Sequence, residues 1–592
     1  MNNPTPSEPS YIKRSLRFLF DYFRNSEHKK KAWLLLIGGT LSALVVSGLG
    51  FALGGWFLPF IYAAFIAKDF ALLLMGMGAG LLLAGGMAGF SYLANYLKNK
   101  LYVDWRSWLT KKIINKYLKG KTNYLEISRN HKDLDNPEQR IQEDVDKVVE
   151  SFLSLTLGFI ENVVNLTIYL VLLGITGGAL SFVLGGATLV IPGYLVLVAL
   201  LAGVTTSLIG YFISKPLKKL ANDETKTQSD LRTDLHQLKN SAEEIAIEHA
   251  EQYYQNRLNN GVDELNKKTK KRLSIQNGTT AFNLFTNVVQ LIVPILAAVP
   301  LFFSSLITLD AFYSTSYYFT MVTFAINWFI NSFELINKFK TSLSRILALQ
   351  NILEKNSDTE AAKISRKVDC DNENLVVNAL DLHLHSGSEV VIKGLDLKFT
   401  RGIHTLIQAP SGTGKSSLFK AIAGTWLAGE GEIIIPNSLE SIYFLPQKPT
   451  LPDDTLRNVL AYPDAHCPYS DDELITALKA VNMDVHTTKL DEKVGFKSLG
   501  EQQRIAFARV LLRKPDWVFL DEATASLDEE REEQVYCRIK ELLPKTTIIS
   551  IAHRSTVKRY HDNVLFFKVN AKKEAQVEEE RITMGLGGSG SS

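Results

Sequence analysis

The sequence predicts a membrane domain of six α-helical spans followed by an α/β domain of the P-loop type. Residues 1–345 hold nearly all the long apolar runs, whereas residues 360–583 have the mixed composition of a soluble domain. In this second part, Ala409-Pro-Ser-Gly-Thr-Gly-Lys-Ser-Ser417 lies between a short apolar run and a helix-like segment, which is the setting that a phosphate-binding loop requires. A chain of 592 residues is also too long for a single core.

The membrane domain is predicted from six stretches that are apolar and long enough to cross a bilayer, which takes about 20 residues. They are residues 33–62, 70–96, 151–175, 188–213, 279–305 and 311–333. The links after the second and fourth spans are long and rich in Lys and Arg, whereas the other links are short and carry few basic residues. Because basic residues accumulate on the cytoplasmic side, both termini and both long links are predicted to face the cytoplasm.

The long links keep apolar residues at helical spacing over 96–118 and 218–261, so helices are predicted to continue out of the membrane. An interruption of the first link is expected at 130–137, and the segment 245–251 lies mid-way along the second link. Residues 10–28 predict an amphipathic helix at the inner membrane surface. The predicted domains are an N-terminal cytoplasmic segment, the membrane domain, a linker, the α/β domain and a Gly/Ser-rich tail of artificial appearance. Their boundaries are 1–31, 32–345, 346–371, 372–583 and 584–592.

Charge and cysteine content exclude some functions. The net charge is +3, which gives no indication of nucleic acid as a partner. Cys370, Cys467 and Cys537 all lie in the soluble part and lack the spacing of metal ligands, so free thiols in a reducing compartment are expected.

Polar residues recur at helical spacing inside three of the spans. They are Glu161 and Asn165 in the third span, Asn283, Asn287 and Gln290 in the fifth, and Thr320, Thr323 and Asn327 in the sixth, where Asn331 and Glu334 extend the pattern. Buried polar groups in a bilayer face protein or a water-filled cavity. Two interpretations follow: these residues line a cavity for a transported solute, or they hydrogen-bond neighbouring helices and hold the bundle together.

The glycine-rich loop carries the groups that bind a nucleoside triphosphate. Backbone amides of the loop and the positive end of the following helix attract phosphate, Lys415 can reach the outer phosphates, and Ser416 can bind Mg²⁺. Ala409 stands where glycine is usual. The predicted phosphate-binding residues are Ser411, Gly412, Thr413, Gly414, Lys415, Ser416 and Ser417.

Further motifs follow downstream in a fixed order. An apolar strand, Trp517-Val-Phe-Leu, ends in Asp521 and Glu522; Asp521 is placed to hold Mg²⁺, and Glu522 to orient and polarise a water molecule. The other motifs are Leu445-Pro-Gln447, Ser498-Leu-Gly-Glu-Gln-Gln-Arg504, Ser526-Leu-Asp528 and Ile551-Ala-His553.

Together these motifs resemble an ATP-binding cassette (ABC) transporter whose membrane domain precedes its nucleotide-binding domain, with a membrane fold of the exporter type. The resemblance implies a Walker A loop at 411–417, a Mg²⁺-sensing glutamine at Gln447 and a γ-phosphate-contacting histidine at His553. It also implies a signature at Ser498, Gly500, Glu501 and Gln502, the Walker B acid Asp521, the catalytic base Glu522 and a D-loop containing Asp528. Leu499 departs from the usual signature, where glycine stands.

The usual adenine-stacking tyrosine before strand 390–393 is missing, which leaves His383 or His385 as candidates, although an ordinary surface role is the simpler interpretation. Because the family completes each ATP site with a second nucleotide-binding domain, the resemblance implies a homodimer.

Finer motifs are similar to the bacterial SbmA/BacA-related transporters and their relatives, the ABCD half-transporters. They are Asn136-Pro-Glu-Gln-Arg-Ile-Gln-Glu-Asp144, Phe444-Leu-Pro-Gln-Lys-Pro449, Leu456-Arg-Asn-Val-Leu-Ala-Tyr-Pro463 and His553-Arg-Ser-Thr556. The resemblance implies a multi-pass protein of the bacterial inner membrane, in contact with membrane lipids, that imports cobalamin-, bleomycin- or peptide-like solutes. Transport of fatty acyl chains or lipids, export, and an ATP-gated switch without transport remain as alternatives.

Overall fold

The computed structural model describes residues 8–119, 124, 125, 127, 137–177, 179–184, 187–358, 364–384, 390–410, 412–426, 428–483, 489–495, 498–569 and 575–581. The chain divides into two compact units, which are described separately. The first comprises Met1–Lys116 and Asp135–Ile352, and the second comprises Tyr117–Leu134 and Leu353–Ser592.

In its described residues, the first unit is helical apart from one β-hairpin. Its α-helices of six or more residues are α1 (Glu8–Asn25), α2 (Lys29–Ala52), α3 (Leu58–Ala67), α4 (Phe70–Leu118), α5 (Val145–Thr176), α6 (Tyr194–Asn240), α7 (Ala242–Ile247), α8 (Glu251–Phe303), α9 (Leu309–Asn331) and α10 (Phe333–Asp358), and the short helical segments Pro137–Gln139 and Arg140–Asp144 precede α5. The hairpin pairs β1 (Ala179–Leu184) with β2 (Ala187–Pro192) in antiparallel register.

Among the residues that the structure describes, six helical stretches are long and apolar enough to cross a membrane, which confirms the predicted number of spans. The predicted start of the fourth span at residue 188 is wrong, because β2 occupies Ala187–Pro192 and α6 begins only at Tyr194. The apolar, β-branched run Thr188-Leu-Val-Ile191 is equally compatible with a strand and a helix, and its pairing with β1 decides between them.

The first span contains a π-helical turn at Leu53–Phe57, between α2 and α3. The backbone of Gly54 lies against the ring of Tyr317 on α9, so a Cβ atom added at Gly54 would come within 2.1 Å of that ring. The hydroxyl of Tyr317 also donates a hydrogen bond of 3.1 Å to the carbonyl of Gly50. The absence of a side chain at Gly54 is therefore required for the π-helical turn to approach α9 this closely.

The N-terminal helix is present as predicted, as α1. Phe18, Leu19, Tyr22 and Phe23 are buried on one of its faces. Tyr22 stacks on Trp105 of α4 with ring centroids 5.9 Å apart. One face of α1 thus packs on protein, and its position at a membrane surface stays a prediction.

The second long link is helical as predicted, and the structure adds an interruption within the segment 245–251. Helix α7 ends at Ile247, His249 has a φ of 51°, and α8 begins at Glu251. In the first link, α4 continues as one helix to Leu118. The predicted interruption at 130–137 falls, apart from Pro137, outside the described residues.

The described part of the second unit contains two sheets. The strands are β3 (Ser365–Asp369), β4 (Leu375–His383), β5 (Val390–Phe399), β6 (Thr405–Gln408), β7 (Gly429–Pro436), β8 (Ile442–Leu445), β9 (Trp517–Asp521), β10 (Thr547–Ile551), β11 (Asn563–Val569) and β12 (Ala575–Arg581). A six-stranded sheet has the order β12-β11-β6-β10-β9-β8, and a four-stranded sheet has the order β3-β7-β4-β5. In the larger sheet the neighbouring strands β8, β9, β10, β6 and β11 are parallel to one another, and β12 is antiparallel to β11.

Helices cover the larger sheet, so its central strands are apolar on both faces. The helices of this unit are α11 (Lys415–Ile422), α12 (Leu456–Ala461), α13 (Asp471–Ala480), α14 (Leu499–Arg513) and α15 (Glu529–Leu542). All five residues of β10 are buried, and so are the first four of β9. Because β6, β10 and β9 are adjacent and parallel, their carboxyl ends share one edge, where ligands bind in open α/β sheets.

Candidate functional site

The glycine-rich loop connects the end of β6 to the start of α11. Gly412 and Gly414 have φ values of 82° and 89°, in the left-handed region that side chains rarely adopt. A Cβ atom on Gly414 would also lie 2.9 Å from the side chains of Val391 and Ile392. The loop therefore needs glycine at position 414, and this turn directs the open amides at the N-terminus of α11 toward the sheet edge. Ser411 lies outside the described residues.

Lys415 is the first residue of α11 and is only 7% exposed. Its ammonium group donates hydrogen bonds to the carbonyls of Ala409, at 2.5 Å, and Pro410, at 3.3 Å, and lies 3.3 Å from Nε2 of His553. Burial lowers the pKa of Lys415, whereas the carboxylates of Glu522 and Asp521 act in the opposite direction. A partly desolvated cation in a loop of open amides is suited to binding phosphate.

Asp521 ends β9, and its Oδ1 accepts a 3.1 Å hydrogen bond from the hydroxyl of Ser416. Burial raises the pKa of Asp521, although the hydrogen bond from Ser416 opposes that shift. The hydroxyl and carboxylate oxygens are the hard ligands that Mg²⁺ prefers, and a bound cation would compensate the buried carboxylate. The residues present thus fit a magnesium ion held by Ser416 and Asp521.

Glu522 is held in an unusual conformation at the centre of the site. Its φ is 49°, and its amide donates a 3.0 Å hydrogen bond to Ile551 of β10. Its carboxylate accepts a 3.3 Å hydrogen bond from the amide nitrogen of Gln447 and lies 3.1 Å from Nε2 of His553. A non-glycine residue at positive φ costs on the order of 1 kcal/mol or more and persists only where its surroundings impose it. Here the neighbouring strand end imposes it.

The structure therefore brings four separate motifs into one cluster: Lys415 and Ser416, Gln447, Asp521 and Glu522, and His553. The first and last of these motifs, at Lys415 and His553, are 138 positions apart in the sequence. The ends of adjacent parallel strands bring them together.

The signature residues form the start of a different helix. Ser498 is the N-cap of α14 and forms a capping box with Glu501: the Glu501 amide donates to the Ser498 hydroxyl at 3.3 Å, and the Ser498 amide donates to Glu501 Oε2 at 3.0 Å. Ser498 is exposed, and Leu499 is 38% exposed. The hydrogen bonds of Ser498 run to Glu501 at this helix start, whereas the groups around Glu522 bond to one another at the ends of the parallel strands. Asp528, also predicted, is the N-cap of α15.

Gln503 is a residue of this site that sequence reasoning missed. It is fully buried on α14, its amide nitrogen donates a 3.0 Å hydrogen bond to the Gln447 carbonyl, and its amide oxygen accepts a hydrogen bond from the Ser526 hydroxyl. It thus connects three of the predicted motifs. The available signal was its position inside the signature motif, but nothing in the sequence indicates what its amide contacts.

Some predicted polar residues of the spans line a cavity of about 210 Å³ in the membrane unit. Glu161 and Asn165 on α5 are among its lining residues. The other polar groups in its wall are Ser47, Asn162, Tyr169 and Tyr317. The cavity lies beside the π-helical turn of the first span, since Gly50 and Tyr317 belong to its wall.

Other predicted polar residues make contacts within and between helices. Asn327 accepts hydrogen bonds from Thr206, at 3.1 Å, and Ser207, at 2.9 Å, both on α6. Thr320 donates a 3.3 Å hydrogen bond to the backbone carbonyl of Gln290 on α8.

Thr323 is buried and donates to the carbonyl of Thr320 at 2.8 Å. Asn283 and Asn287 are exposed on α8 of the single chain. Their part in a solute pathway stays a prediction.

Of the two candidate adenine contacts, His383 is the last residue of β4, and its carbonyl accepts a 3.1 Å hydrogen bond from the Trp426 indole. His385 lies outside the described residues.

Comparison with known proteins identifies the class. The family model described as "ABC transporter transmembrane region 2" matches residues 21–303, and the model described as "ABC transporter" matches residues 392–525. An uncharacterized ABC transporter ATP-binding protein of Haemophilus influenzae is 31% identical over 83% of this chain and 82% of its own length. The chain therefore belongs to the ABC transporter family.

Further relatives indicate the kind of ABC transporter. The inner membrane ABC transporter ATP-binding protein YddA of Escherichia coli is 26% identical over 79% of this chain and 82% of its own length. The human lysosomal cobalamin transporter ABCD4 is 27% identical over 79% and 80%. The structure of a bacterial Atm1-family ABC exporter with ATP bound has the same fold, with a TM-score of 0.71 and 16% identity over 94% of this chain and 96% of that one.

This chain is accordingly an ABC half-transporter, with one membrane domain and one nucleotide-binding domain, and an ATP hydrolase coupled to transport across a membrane.

Proposed function

We propose that two copies of this chain bind ATP and Mg²⁺ between their nucleotide-binding domains and use hydrolysis to import a polar or amphipathic solute across the bacterial inner membrane. The observation that carries the proposal is the separation of the site into two parts. One part is the cluster of Lys415, Asp521, Glu522 and His553, and the other is the exposed start of α14 at Ser498. A symmetric pair can place the second part of one copy over the first part of the other.

In this proposal the loop residues 411–417 bind the phosphates of ATP, and Ser416, Gln447 and Asp521 hold Mg²⁺, which neutralises developing charge on the phosphates when bound. Glu522 accepts the proton of the attacking water. His553 contacts the γ-phosphate. Its Nε2 lies 3.1 Å from Oε1 of Glu522, and this interaction orients the two side chains relative to each other. The opposing signature, Ser498, Gly500, Glu501 and Gln502, with Asp528 nearby, closes the site with the positive end of α14.

The chemistry of the cavity supports a polar or amphipathic solute. A carboxylate, two asparagines and two tyrosines in its wall offer hydrogen bonds, which an acyl chain cannot form. The relative named as a cobalamin transporter is compatible with such a solute, and the relative named as an inner membrane protein supports the location.

Transport into proteoliposomes tests the function. We expect ATP-dependent movement of labelled cobalamin or of a proline-rich peptide, and none in vesicles of a Glu522→Gln variant. A Glu161→Gln variant should retain ATP hydrolysis but show reduced flux, because only the cavity wall changes. Preferential movement of a fatty acyl substrate would favour the lipid alternative, and flux in the opposite sense would establish export. ATP hydrolysis without flux of any of them would favour a switch.

A further inference from the structure

The segment between Glu522 and α15, residues 523–528, is here called the D-loop. It receives two hydrogen bonds from one side chain. Arg554 donates from Nη1 to the carbonyl of Leu527, at 2.7 Å, and from Nη2 to the carbonyl of Ala525, at 3.0 Å. Because one planar guanidinium spans two carbonyls that are two residues apart, it constrains the backbone shape of the D-loop and not merely its position.

A buried carboxylate beneath Arg554 joins the same two segments. Glu532 on α15 is 2% exposed. Its Oε1 accepts a 2.5 Å hydrogen bond from Thr524 of the D-loop, and its Oε2 accepts a 3.1 Å hydrogen bond from Thr556, three residues after His553. Nη1 of Arg554 lies 3.9 Å from the same Oε2. A carboxylate in such a place is stable only while these partners stay in position, so the D-loop and the segment around His553 cannot separate without cost.

The two connected segments carry the two reacting groups. Glu522 directly precedes the D-loop, and His553 directly precedes Arg554. Their side chains lie 3.1 Å apart. Displacement of the D-loop would therefore pull on Arg554 and change the placement of His553 relative to Glu522.

We propose that Arg554 is a positioning residue for ATP hydrolysis: it fixes the D-loop to the His553 segment, so that His553 is aligned with Glu522 only when the D-loop is in place. The inference rests on the proposed roles of Glu522 and His553. Ala525 and Ser526 of the D-loop are exposed. Binding of a second copy to the D-loop would therefore change the position of the catalytic groups through Arg554.

The test uses full-length protein in nanodiscs and measures kcat and KM for ATP together with the melting temperature. Arg554→Gln should lower kcat about tenfold or more, because small misplacements of reacting groups cost up to roughly a hundredfold. KM for ATP should change by less than about threefold, since Lys415 and the phosphate loop are untouched. Arg554→Lys, which can reach one carbonyl at a time, should lie between. Arg559→Gln is the matched control: it removes a charge from the same segment, where Arg559 pairs with the exposed Glu533 at 3.1 Å.

A double-mutant cycle with His553→Ala gives the decisive result. If Arg554 acts through His553, Arg554→Gln should add less than about a twofold loss of kcat in the His553→Ala background. Full, independent losses from the two changes, or an equal loss with Arg559→Gln, would overturn the positioning role while leaving the proposed function intact. Wild-type kcat in His553→Ala alone would instead contradict the proposed role of His553, and the positioning role with it. If Arg554→Gln does not fold, Arg554→Lys and Thr556→Val are each combined with His553→Ala in the same double-mutant cycle.

Discussion

Replacement of Glu522 by Gln separates ATP binding from hydrolysis. The amide keeps the shape of the side chain but cannot accept the proton of the attacking water. Lys415, Ser416 and Asp521 are unchanged, so the phosphate and metal contacts remain available. The change also removes a negative charge beside Asp521, whose pKa the Glu522 carboxylate raises in addition to the larger effect of burial. ATP should therefore bind at least as well as in the unaltered protein.

The expected loss of turnover follows from the role of a general base. Such groups contribute roughly 10²- to 10⁴-fold, which corresponds to about 3–5 kcal/mol of transition-state stabilisation. The loss should fall at the upper end of this range, because Glu522 is held at 3.3 Å from Gln447 and 3.1 Å from His553 in a strained backbone conformation that no neighbouring acid shares.

The assay is phosphate release at saturating Mg²⁺-ATP in nanodiscs, with light scattering in detergent to detect ATP-dependent association of the two copies. Glu541→Gln, at an exposed acid on α15 that pairs with Arg538 at 2.9 Å, is the control and should hydrolyse ATP normally. Wild-type turnover in the Glu522→Gln protein would refute the assignment. Loss of both turnover and ATP binding would mean that the change had damaged the site as a whole.

Three further predictions concern binding, the metal site and pH. Lys415→Ala should weaken binding of a fluorescent ATP analogue by roughly tenfold to a hundredfold, since a hydrogen-bonded charge contributes about 1.5–3 kcal/mol; unchanged affinity would contradict its role. Asp521→Asn should abolish hydrolysis yet raise the melting temperature of nucleotide-free protein at pH 7.5. The pKa of Asp521 is raised by burial, so its negative charge destabilises the fold at a pH above that pKa, and this destabilisation is lost when the carboxylate is protonated at lower pH. A lower melting temperature of the variant would count against this. Burial lowers the pKa of His561 to about 4. The neutral, buried His561 should therefore give its full contribution to the stability of the nucleotide-binding domain above about pH 6.5, and stability should fall between about pH 6.5 and 4, where the unfolded chain binds the proton and the folded one does not. His561→Gln should reduce this pH dependence in melting curves.

Much of the nucleotide site could be predicted because its residues belong to local patterns. Gly414 has a left-handed backbone, Lys415 begins a helix after a strand, and Glu522 directly follows a strand of buried residues; each feature depends on near neighbours in the chain. The same holds for the six spans, since about 20 consecutive apolar residues indicate a membrane helix whatever it packs against. The start of the fourth span was missed because Thr188–Ile191 has no period that separates a strand from a helix.

The polar residues of the spans show what local pattern leaves undecided. Glu161 and Asn327 are equivalent in the sequence, as polar groups at helical spacing in apolar runs. In the structure Glu161 lines a cavity, whereas Asn327 accepts hydrogen bonds from Thr206 and Ser207 on another helix. Which of these happens depends on the neighbouring helix that each face meets.

The amino-acid sequence by itself determined the class of protein and the number of spans, and it predicts the groups that bind ATP. Only the tertiary structure decided that Gln503 joins Gln447 to Ser526, and that Arg554 and Glu532 hold the D-loop to the His553 segment. The physical reason is that a hydrogen bond requires two particular atoms about 3 Å apart. Strand order and helix packing bring such atoms together from distant parts of the chain. The local sequence around one atom does not indicate which residue will be its partner.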